Sequence, residues 1–585
     1  MAGETVAVLG GGIAGLTAAH ELAGRGYAVT IHEMRGGGVR GLGGKARSQY
    51  FRVGGKEVPG EHGYRFLPAF YRCLPDTMWR IPLGPGVGDD FRAPQPNSVG
   101  ASLGGLSHFA VARDNMPLGI IHRNVPEIRD LPSLAQTLAK LFHSISPVDM
   151  RHMGGKLLRY YATGPLQRAD VFEKISFWDY MEAHRLRPIA RRLLENMPQS
   201  LVAMRASEGN ARTLLDVLLL MMIDFGRPGP SEWVLPGPTT DTLIAPWARH
   251  LERLGVRFAQ GPSERIVGLA IDGRHVTRAY RAGGPPIEAD AFVLATPLEG
   301  TQAILRASDD AVAGCEELEK ALAIPSSATR WMVGMQLLLR RDRPWVRGHI
   351  AFADSPWGLT AVSQRQLWSE EHRARLAAAG AGGIVSLIAT EWEKPRGSEA
   401  PRARDLTEPA IITEVLRQVA RCRDGDEEPM IRRADVIAHH IDDDVRFDPI
   451  PVDNGSPLLI HPPGLWSQRP QVFTAYDNLA LAGDYVQNPM DLATMEGANA
   501  SGRMAANHLL DALLHDPRDR AMVIADYQAE HAPPALRALG RASDWRYQRE
   551  SGSPPTELTP EPPMSHAEGA HQLEVEARQL QASAP

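Results

Sequence analysis

Cysteine is scarce: the 585 residues hold three, Cys73, Cys315 and Cys422, far apart and with no C-x-x-C pair. This spacing excludes a disulfide framework and a clustered thiolate zinc site, and it fits a reducing, cytoplasmic setting. Cys73 has no local motif that would activate a thiolate and reads as a buried thiol. A dominant charge is lacking too. With 63 Lys and Arg against 69 Asp and Glu, net −6, there is no electrostatic footprint for nucleic acid. Long hydrophobic runs are absent. The greasiest segment, Leu214 to Ile223, is interrupted by Asp216 and falls far short of the ~20 residues a spanning helix needs. It reads as a buried helix. The opening MAGET has no basic n-region, so the apolar run after it reads as a first strand, not a signal peptide. No lipidation motif supports membrane association. No internal repeat, Ser/His/Asp arrangement or metal-ligand cluster stands out. What remains, 43% apolar and 23% charged residues, is an ordinary globular composition. The length implies several domains or one large interleaved unit.

Against these absences, residues 5–48 are dense in information. Val6, Val8 and Leu9 form a short β-branched and apolar run, as a buried parallel strand requires. Gly10, Gly12 and Gly15 follow with G-x-G-x-x-G spacing. The first glycine allows the tight turn, the second lets backbone approach a pyrophosphate, and the third lets the helix pack on the strand. Ile13 and Ala14 open that helix, whose N-terminal N–H groups and dipole face the phosphates. Gly26 ends it, Tyr27 to Ile31 form the next strand, and Glu33 closes the unit. A carboxylate there accepts hydrogen bonds from ribose hydroxyls and repels a 2′-phosphate, which disfavours NADP as the ligand of this site.

Further along, helical patterns are read at Leu131–Phe142, Val171–Ala183 and Trp247–Leu254. Val256–Phe258 reads as a strand, and Arg265–Ile271 with His275–Tyr280 as a hairpin around Asp272-Gly273. Short buried strands are read at Ala291–Leu294, Trp331–Leu339, Gly383–Thr390 and Leu479–Ala482, and a helix from Glu496 to about Leu514. Beyond about residue 550, Pro, Ser, Glu and Ala dominate without an apolar period, the signature of disorder. The α/β signals thus come in three separated blocks. They predict an α/β chain whose Rossmann-like cofactor domain is assembled from residues 1–75, 231–300 and 465–515. An α+β substrate domain (76–230 and 301–464) is interleaved with it, and a C-terminal helix and disordered tail (516–585) follow.

Four motifs in this frame resemble the flavin amine oxidase superfamily, and within it the branch of phytoene desaturase, ζ-carotene desaturase and hydroxysqualene dehydroxylase. The resemblance covers about residues 5–515. The first motif is the glycine turn through Glu33, continued by Gly43-Gly44-Lys45-Ala46-Arg47-Ser48, which in the family runs along the FAD pyrophosphate. A backbone turn with one guanidinium suits an anionic ligand. The second is Pro59-Gly60-Glu61-His62-Gly63-Tyr64-Arg65-Phe66 with Tyr71, which in the family runs beside the flavin. His62 is the candidate acid/base or ring-orienting group, and Gly63 and Tyr64 are candidate flavin neighbours. The third is Leu235-Pro236-Gly237, the 256–280 hairpin and the strand ending at Ala295-Thr296-Pro297. The resemblance implies backbone contact with the adenine at Ile266, with Val267 beside it, and assigns Thr296 to the cofactor. The fourth is Leu481-Ala482-Gly483-Asp484-Tyr485 followed by Thr494-Met495-Glu496-Gly497-Ala498. Here Gly483 and Asp484 would serve the ribityl or phosphate side. Met495, Glu496 and Ala498 would open a helix whose dipole faces the flavin C2=O.

The resemblance implies FAD, no metal, and hydride or electron transfer at the flavin N5. Departures from the family argue the substrate. Amine oxidases of the superfamily carry a lysine near N5 on a substrate-domain strand; Trp331–Leu339 has none. They also carry an aromatic cage residue just before Met-Glu-Gly-Ala, where this chain has Thr494. A cage that strips water from an amine is therefore not evident. An apolar substrate fits better, with Met221, Met222, Met332, Met335, Leu337 to Leu339, Trp357 and Trp368 as candidate wall residues. The expected activity is a FAD-dependent oxidoreductase acting at carbon–carbon or allylic positions of a long polyene or terpenoid-like molecule. It would desaturate that molecule, or cyclise a polyene tetramate macrolactam in secondary metabolism. The alternatives are an amine or amino-acid oxidase releasing H2O2 and a non-catalytic flavin-bound partner protein. A second G-x-G-x-x-G followed by an acid is missing, so NADPH would act only as a transient reductant at the flavin face.

Overall fold

The computed structural model describes residues 4–551 apart from 85–89, 107, 123–144, 226–228, 309–311, 396–399, 425–427, 515–518 and 528–533. The helical reading of Leu131–Phe142 and the reading of a disordered tail lie outside the described residues.

A five-stranded parallel sheet takes its strands from distant parts of the chain, in the order Arg257–Gln260, Ala28–Glu33, Thr5–Leu9, Ala291–Leu294, Leu479–Leu481. Val6, Val8, Leu9, Phe292, Val293, Leu479 and Leu481 are all at most 1% exposed, as expected of strands covered on both faces. The helices Ile13–Ala23 and Met495–Leu514 pack against each other. Their approach is set by Gly502, where a Cβ would collide with the Ala14 carbonyl oxygen. Buried charges reinforce this contact. Arg503 donates to Asp76 Oδ2 (2.5 Å), Thr77 Oγ1 (2.7 Å) and the Cys73 carbonyl (2.8 Å), while Arg80 reaches Glu21 Oε1 (2.5 Å).

A second sheet of seven strands runs Val436–Ile441, Val333–Leu339, Gly383–Ala389, Thr360–Ser363, Gly348–Phe352, His108–Ala112, Gly119–His122. Only the pair Gly348–Phe352 and His108–Ala112 is parallel. Period-two alternation divides the strand Val333–Leu339 between two environments. Val333, Met335, Leu337 and Leu339 share a core with Trp357 and the helix Glu408–Ala420. On the other face Leu338 packs with Val58, and Gln336 Nε2 donates to the Glu61 carbonyl (2.9 Å). That face meets the hairpin Ser48–Val53 and Lys56–Glu61, which follows the cofactor-side turns. Gly334 permits the contact, since a Cβ there would collide with the His62 carbonyl.

Most strand readings match within one or two residues. Val171–Ala183 does not. In place of one helix there are Pro165–Asp170, the 3-10 turn Phe172–Lys174 and the short helix Phe177–Tyr180. Ser176 causes the break: its extended backbone and side-chain oxygen, which accepts the Asp179 N–H (3.0 Å), start a new helix. The C-terminal helix is Pro534–Ser551. Among the described residues no helix is long and apolar enough to cross a membrane.

Candidate functional site

Four chain segments converge at the carboxyl ends of the parallel strands, where the order of the sheet reverses and open α/β folds bind ligands. Gly10 leaves Thr5–Leu9 with φ +122°, and a Cβ on it would sit 2.6 Å from the Ala295 carbonyl oxygen, next to Thr296. A Cβ on Gly15 would collide with the Gly10 carbonyl. Both glycines are demanded by the protein itself. Gly12 differs, because the nearest atom to its Cβ would be Gly44 Cα at 3.9 Å. The protein itself leaves that space open. Gly12 also precedes Ile13 at the start of a helix with no side-chain cap, so the N–H groups around Ile13 and Ala14 are left for an anion.

The Gly43–Ser48 segment docks on this turn. Gly43 N–H donates to the Gly11 carbonyl (2.8 Å), and Gly43 and Gly44 both have positive φ, +93° and +56°. Arg47 is a brace here. Its Nη1 donates to the Gly44 carbonyl (3.0 Å) and its Nη2 lies 3.3 Å from Asp444. Lys45 Nζ donates to the Pro457 carbonyl (2.5 Å), and Ala46 is buried beneath. Glu33 accepts the N–H of Gly11 (2.9 Å) and of Arg35 (2.8 Å), one on each oxygen. This fixes the carboxylate and leaves it further lone pairs for ribose hydroxyls.

The second and third motifs flank the first. His62 Nδ1 pairs with Asp442 Oδ2, and Asp442 also accepts from Gln49 Nε2 (2.6 Å). The histidine beside it holds the buried Asp442 carboxyl below the usual carboxylate range. Arg65 Nη2 donates to the Lys45 carbonyl (2.7 Å), tying motif two to motif one. Ile266, buried, begins the hairpin Ile266–Asp272 and His275–Arg281. Thr296 Oγ1 lies 2.7 Å from Thr301 Oγ1.

In the fourth motif Gly483 (φ +147°) donates to Ser501 Oγ (3.0 Å). The half-buried Asp484 carboxylate accepts none of the hydrogen bonds among the described residues, so it stays open to a ligand hydroxyl. Its loop is held from behind by the fully buried Arg469, which donates to the carbonyls of Tyr485 (2.9 Å), Asp484 (3.1 Å) and Val486 and to Asp491 Oδ1 (2.6 Å). Glu496 is wholly engaged elsewhere. Its carboxylate accepts the N–H groups of Arg72, Cys73 and Leu74 (2.7–2.8 Å) and the Tyr527 hydroxyl, capping the helix Cys73–Trp79. What Met495, Glu496 and Ala498 can offer a flavin is therefore the helix start itself. Thr494 explains its own presence: Oγ1 accepts the Gly497 N–H (3.1 Å) and caps that helix.

Beside motif two lies a cavity lined by Tyr64, Phe66, Leu106, Val234, Leu235, Val362, Leu367 and Trp368, with Glu61, Arg65, Gly237, Thr239, His349 and Gln364 among the polar and small members. It corrects the sequence-derived wall. Of the candidates only Trp368 lines it. Met335, Leu337, Leu339 and Trp357 pack on the far face of the sheet, and Leu338 joins a separate core beneath the hairpin. Met222 is 49% exposed on the helix Ala211–Phe225. Residues that sequence reasoning missed include Arg469, Asp442, Glu232 and His349; the last three act through contacts with residues more than a hundred positions away, Arg469 through a loop 15–22 positions on, and no local motif marks them.

A family model described as flavin containing amine oxidoreductase matches residues 13–510. The chain is 27% identical over 522 residues to carotenoid phi-ring synthase from Streptomyces griseus, covering 86% of this chain and 87% of that protein. Cyclohexylamine oxidase from Brevibacterium oxydans superposes with a TM-score of 0.55 at 13% identity, covering 88% of this chain and all of that one. Putrescine oxidase bound to putrescine superposes with a TM-score of 0.56 at 12% identity, covering 87% and 99%. Identities this low establish the shared α/β fold, while the family match extends over most of the chain. Together with a glycine cradle left open at Gly12, a fixed Glu33 and an open Asp484, these findings establish that the chain belongs to the flavin-containing amine oxidoreductase family and is an FAD-dependent oxidoreductase.

Proposed function

We propose that this oxidoreductase acts at carbon–carbon or allylic positions of a long apolar polyene or terpenoid-like substrate, by desaturation or by redox cyclisation of a polyene tetramate macrolactam. The cavity carries this reading. Its wall is mostly aliphatic and aromatic, it holds no lysine, and its one carboxylate, Glu61, is engaged by three hydrogen bonds from Ser48 and Thr239. An ammonium ion would meet no free anion there. The capping role of Thr494 supports the same reading, because it takes the position of an amine cage. The carotenoid-acting relative is a further support.

In this reading the cofactor domain comprises 1–75, 231–300 and 465–515, and the segments between them form the substrate side. Gly10, Gly12, Gly15, Glu33, Gly43, Gly44, Ile266, Thr296, Gly483 and Asp484 would hold FAD. The bound flavin supplies a two-electron acceptor or donor at N5. The chain's own residues do the rest. The apolar wall excludes water and aligns the reacting carbons, and Arg47, Arg65 and Arg469 keep the cofactor loops in register.

The test is anaerobic. The holoenzyme should be bleached by members of a C40 polyene series spanning phytoene to β-carotene, and not by a panel of primary and secondary amines. Bleaching by amines alone, with peroxide release in air, would establish the amine oxidase alternative. That alternative is favoured by the similarity to cyclohexylamine and putrescine oxidases.

A further inference from the structure

Three ionisable side chains besides His349 line the cavity: Glu61, Tyr64 and Arg65. None suits proton uptake. Glu61 accepts from Ser48 Oγ (2.8 Å), Thr239 N–H (2.8 Å) and Thr239 Oγ1 (3.0 Å). Arg65 stays protonated at any working pH, and a neutral phenol such as Tyr64 is a poor acceptor. His349 is different. It lies on Gly348–Phe352 opposite Val362, another cavity residue, and is 5% exposed. Its Nδ1 is 2.9 Å from Glu232 Oε2, and Glu232 is buried on the strand Glu232–Val234. Its ring stands edge-on to Phe66 (4.3 Å between centroids) and Tyr64 (5.3 Å). Neither ring nitrogen makes a hydrogen bond of good geometry among the described residues, so the approach of Nδ1 to Glu232 is a close ionic contact and Nε2 has no partner. His349 lines the cavity and Glu232 does not, so the carboxylate stands behind the ring on its Nδ1 side.

We propose that His349, oriented by Glu232, is the proton acceptor of this active site. A carboxylate beside Nδ1 favours the tautomer with the proton on that nitrogen and leaves Nε2 as the accepting nitrogen. In a desaturation, one C–H bond breaks on each of two neighbouring carbons and a C=C bond forms between them. One hydrogen leaves with both electrons to FAD, the family's oxidant. The other leaves as a proton to Nε2. The assignment rests on the polyene reading for its substrate and on the cavity alone for its geometry. The ionisable groups that share His349's surroundings are Glu232 behind it and Glu61, Tyr64 and Arg65 in the cavity lining.

The experiment compares wild-type holoenzyme with His349→Gln and Glu232→Gln. Flavin content and the spectral shift of β-carotene on binding should be unchanged in His349→Gln. Its anaerobic flavin reduction should fall roughly 10²–10³-fold, and the wild-type inflection in the pH–rate profile should vanish. A His349→Gln enzyme with the wild-type rate and pH profile would overturn the assignment, whether the reducing substrate proves to be a polyene or an amine. If neither class reduces the wild-type flavin, the polyene reading fails separately, and ¹⁵N-histidine spectra of the holoenzyme decide the dyad. An Nδ1–H tautomer at His349, lost in Glu232→Gln, supports it; an Nε2–H tautomer refutes it.

Discussion

The two halves of the molecule meet at the hairpin 48–61 and differ in what their sequence has to satisfy. On the cofactor side the chain passes close to itself, so demands fall on backbone: Gly10 and Gly15 are forced by carbonyl groups, while the space beside Gly12 is left open. On the substrate side the cavity is made of side chains from segments near residues 61–66, 106, 234–239, 349 and 362–368. Any one of these segments, read alone, looks like core. A backbone constraint is local and leaves a motif; a side-chain surface gathered from five segments leaves none.

The largest expected effect separates two glycines three positions apart in one motif. Gly15→Ala should be destabilised by more than about 4 kcal/mol, because the helix must move off the strand, and it should purify poorly and without flavin. Gly12→Ala should keep the wild-type melting temperature of the apoprotein yet lose FAD affinity by 100-fold or more, read by flavin absorbance and titration. Equal melting temperatures for the two apo variants would erase the distinction between protein-forced and ligand-forced glycine.

Acid should distinguish the halves next. His250, beside His20 in the cofactor half (4.9 Å between ring centroids), has its pKa pushed down from 6.5 to about 4, first by burial and then by Arg253 and Arg80. The unfolded chain takes up this proton first. Stability is therefore full above about pH 6.5 and declines toward pH 4, by on the order of 2–3 kcal/mol. Glu21 and Asp442 are held below the usual carboxylate range. Their contribution persists above that range and is lost at still lower pH. His250→Leu should flatten the first limb of a stability–pH curve from urea unfolding and leave the second. An unchanged first limb would show that His250 is not its source.

The smallest effect belongs to the substrate side. Leu367→Ala removes part of the apolar cavity wall. It should weaken polyene binding by about 1–2 kcal/mol, roughly tenfold in Kd, with flavin content and melting temperature nearly unchanged. A loss of flavin in this variant would mean that the cavity and the cofactor cradle are one mechanical unit.

The strands Thr5–Leu9, Ala291–Leu294 and Leu479–Leu481 were readable because burial on both faces requires continuous short apolar runs. The break at Ser176 was not, because a capping serine competes with helix periodicity over only a few residues. The wall residues Met335, Leu337 and Trp357 were misplaced because hydrophobicity says that a side chain is buried, not on which face of a sheet. Arg47 and Glu496 show the same gap in polar form: their positions were visible, but their partners Asp444 and the N–H groups of residues 72–74 lie hundreds of residues away.

The sequence by itself determined the dinucleotide turn, the parallel strands, the flavin family and the threonine at position 494, since each rests on contacts between near neighbours or on residue identity at one position. Only the tertiary structure decided which apolar side chains face a cavity, what holds Asp484 in place, and that His349 and Glu232 stand together at the cavity wall. The cavity and its histidine depend on distances across sheets, which bring together residues that the chain keeps more than a hundred positions apart, and the hold on Asp484 depends on how a loop folds back over a buried arginine.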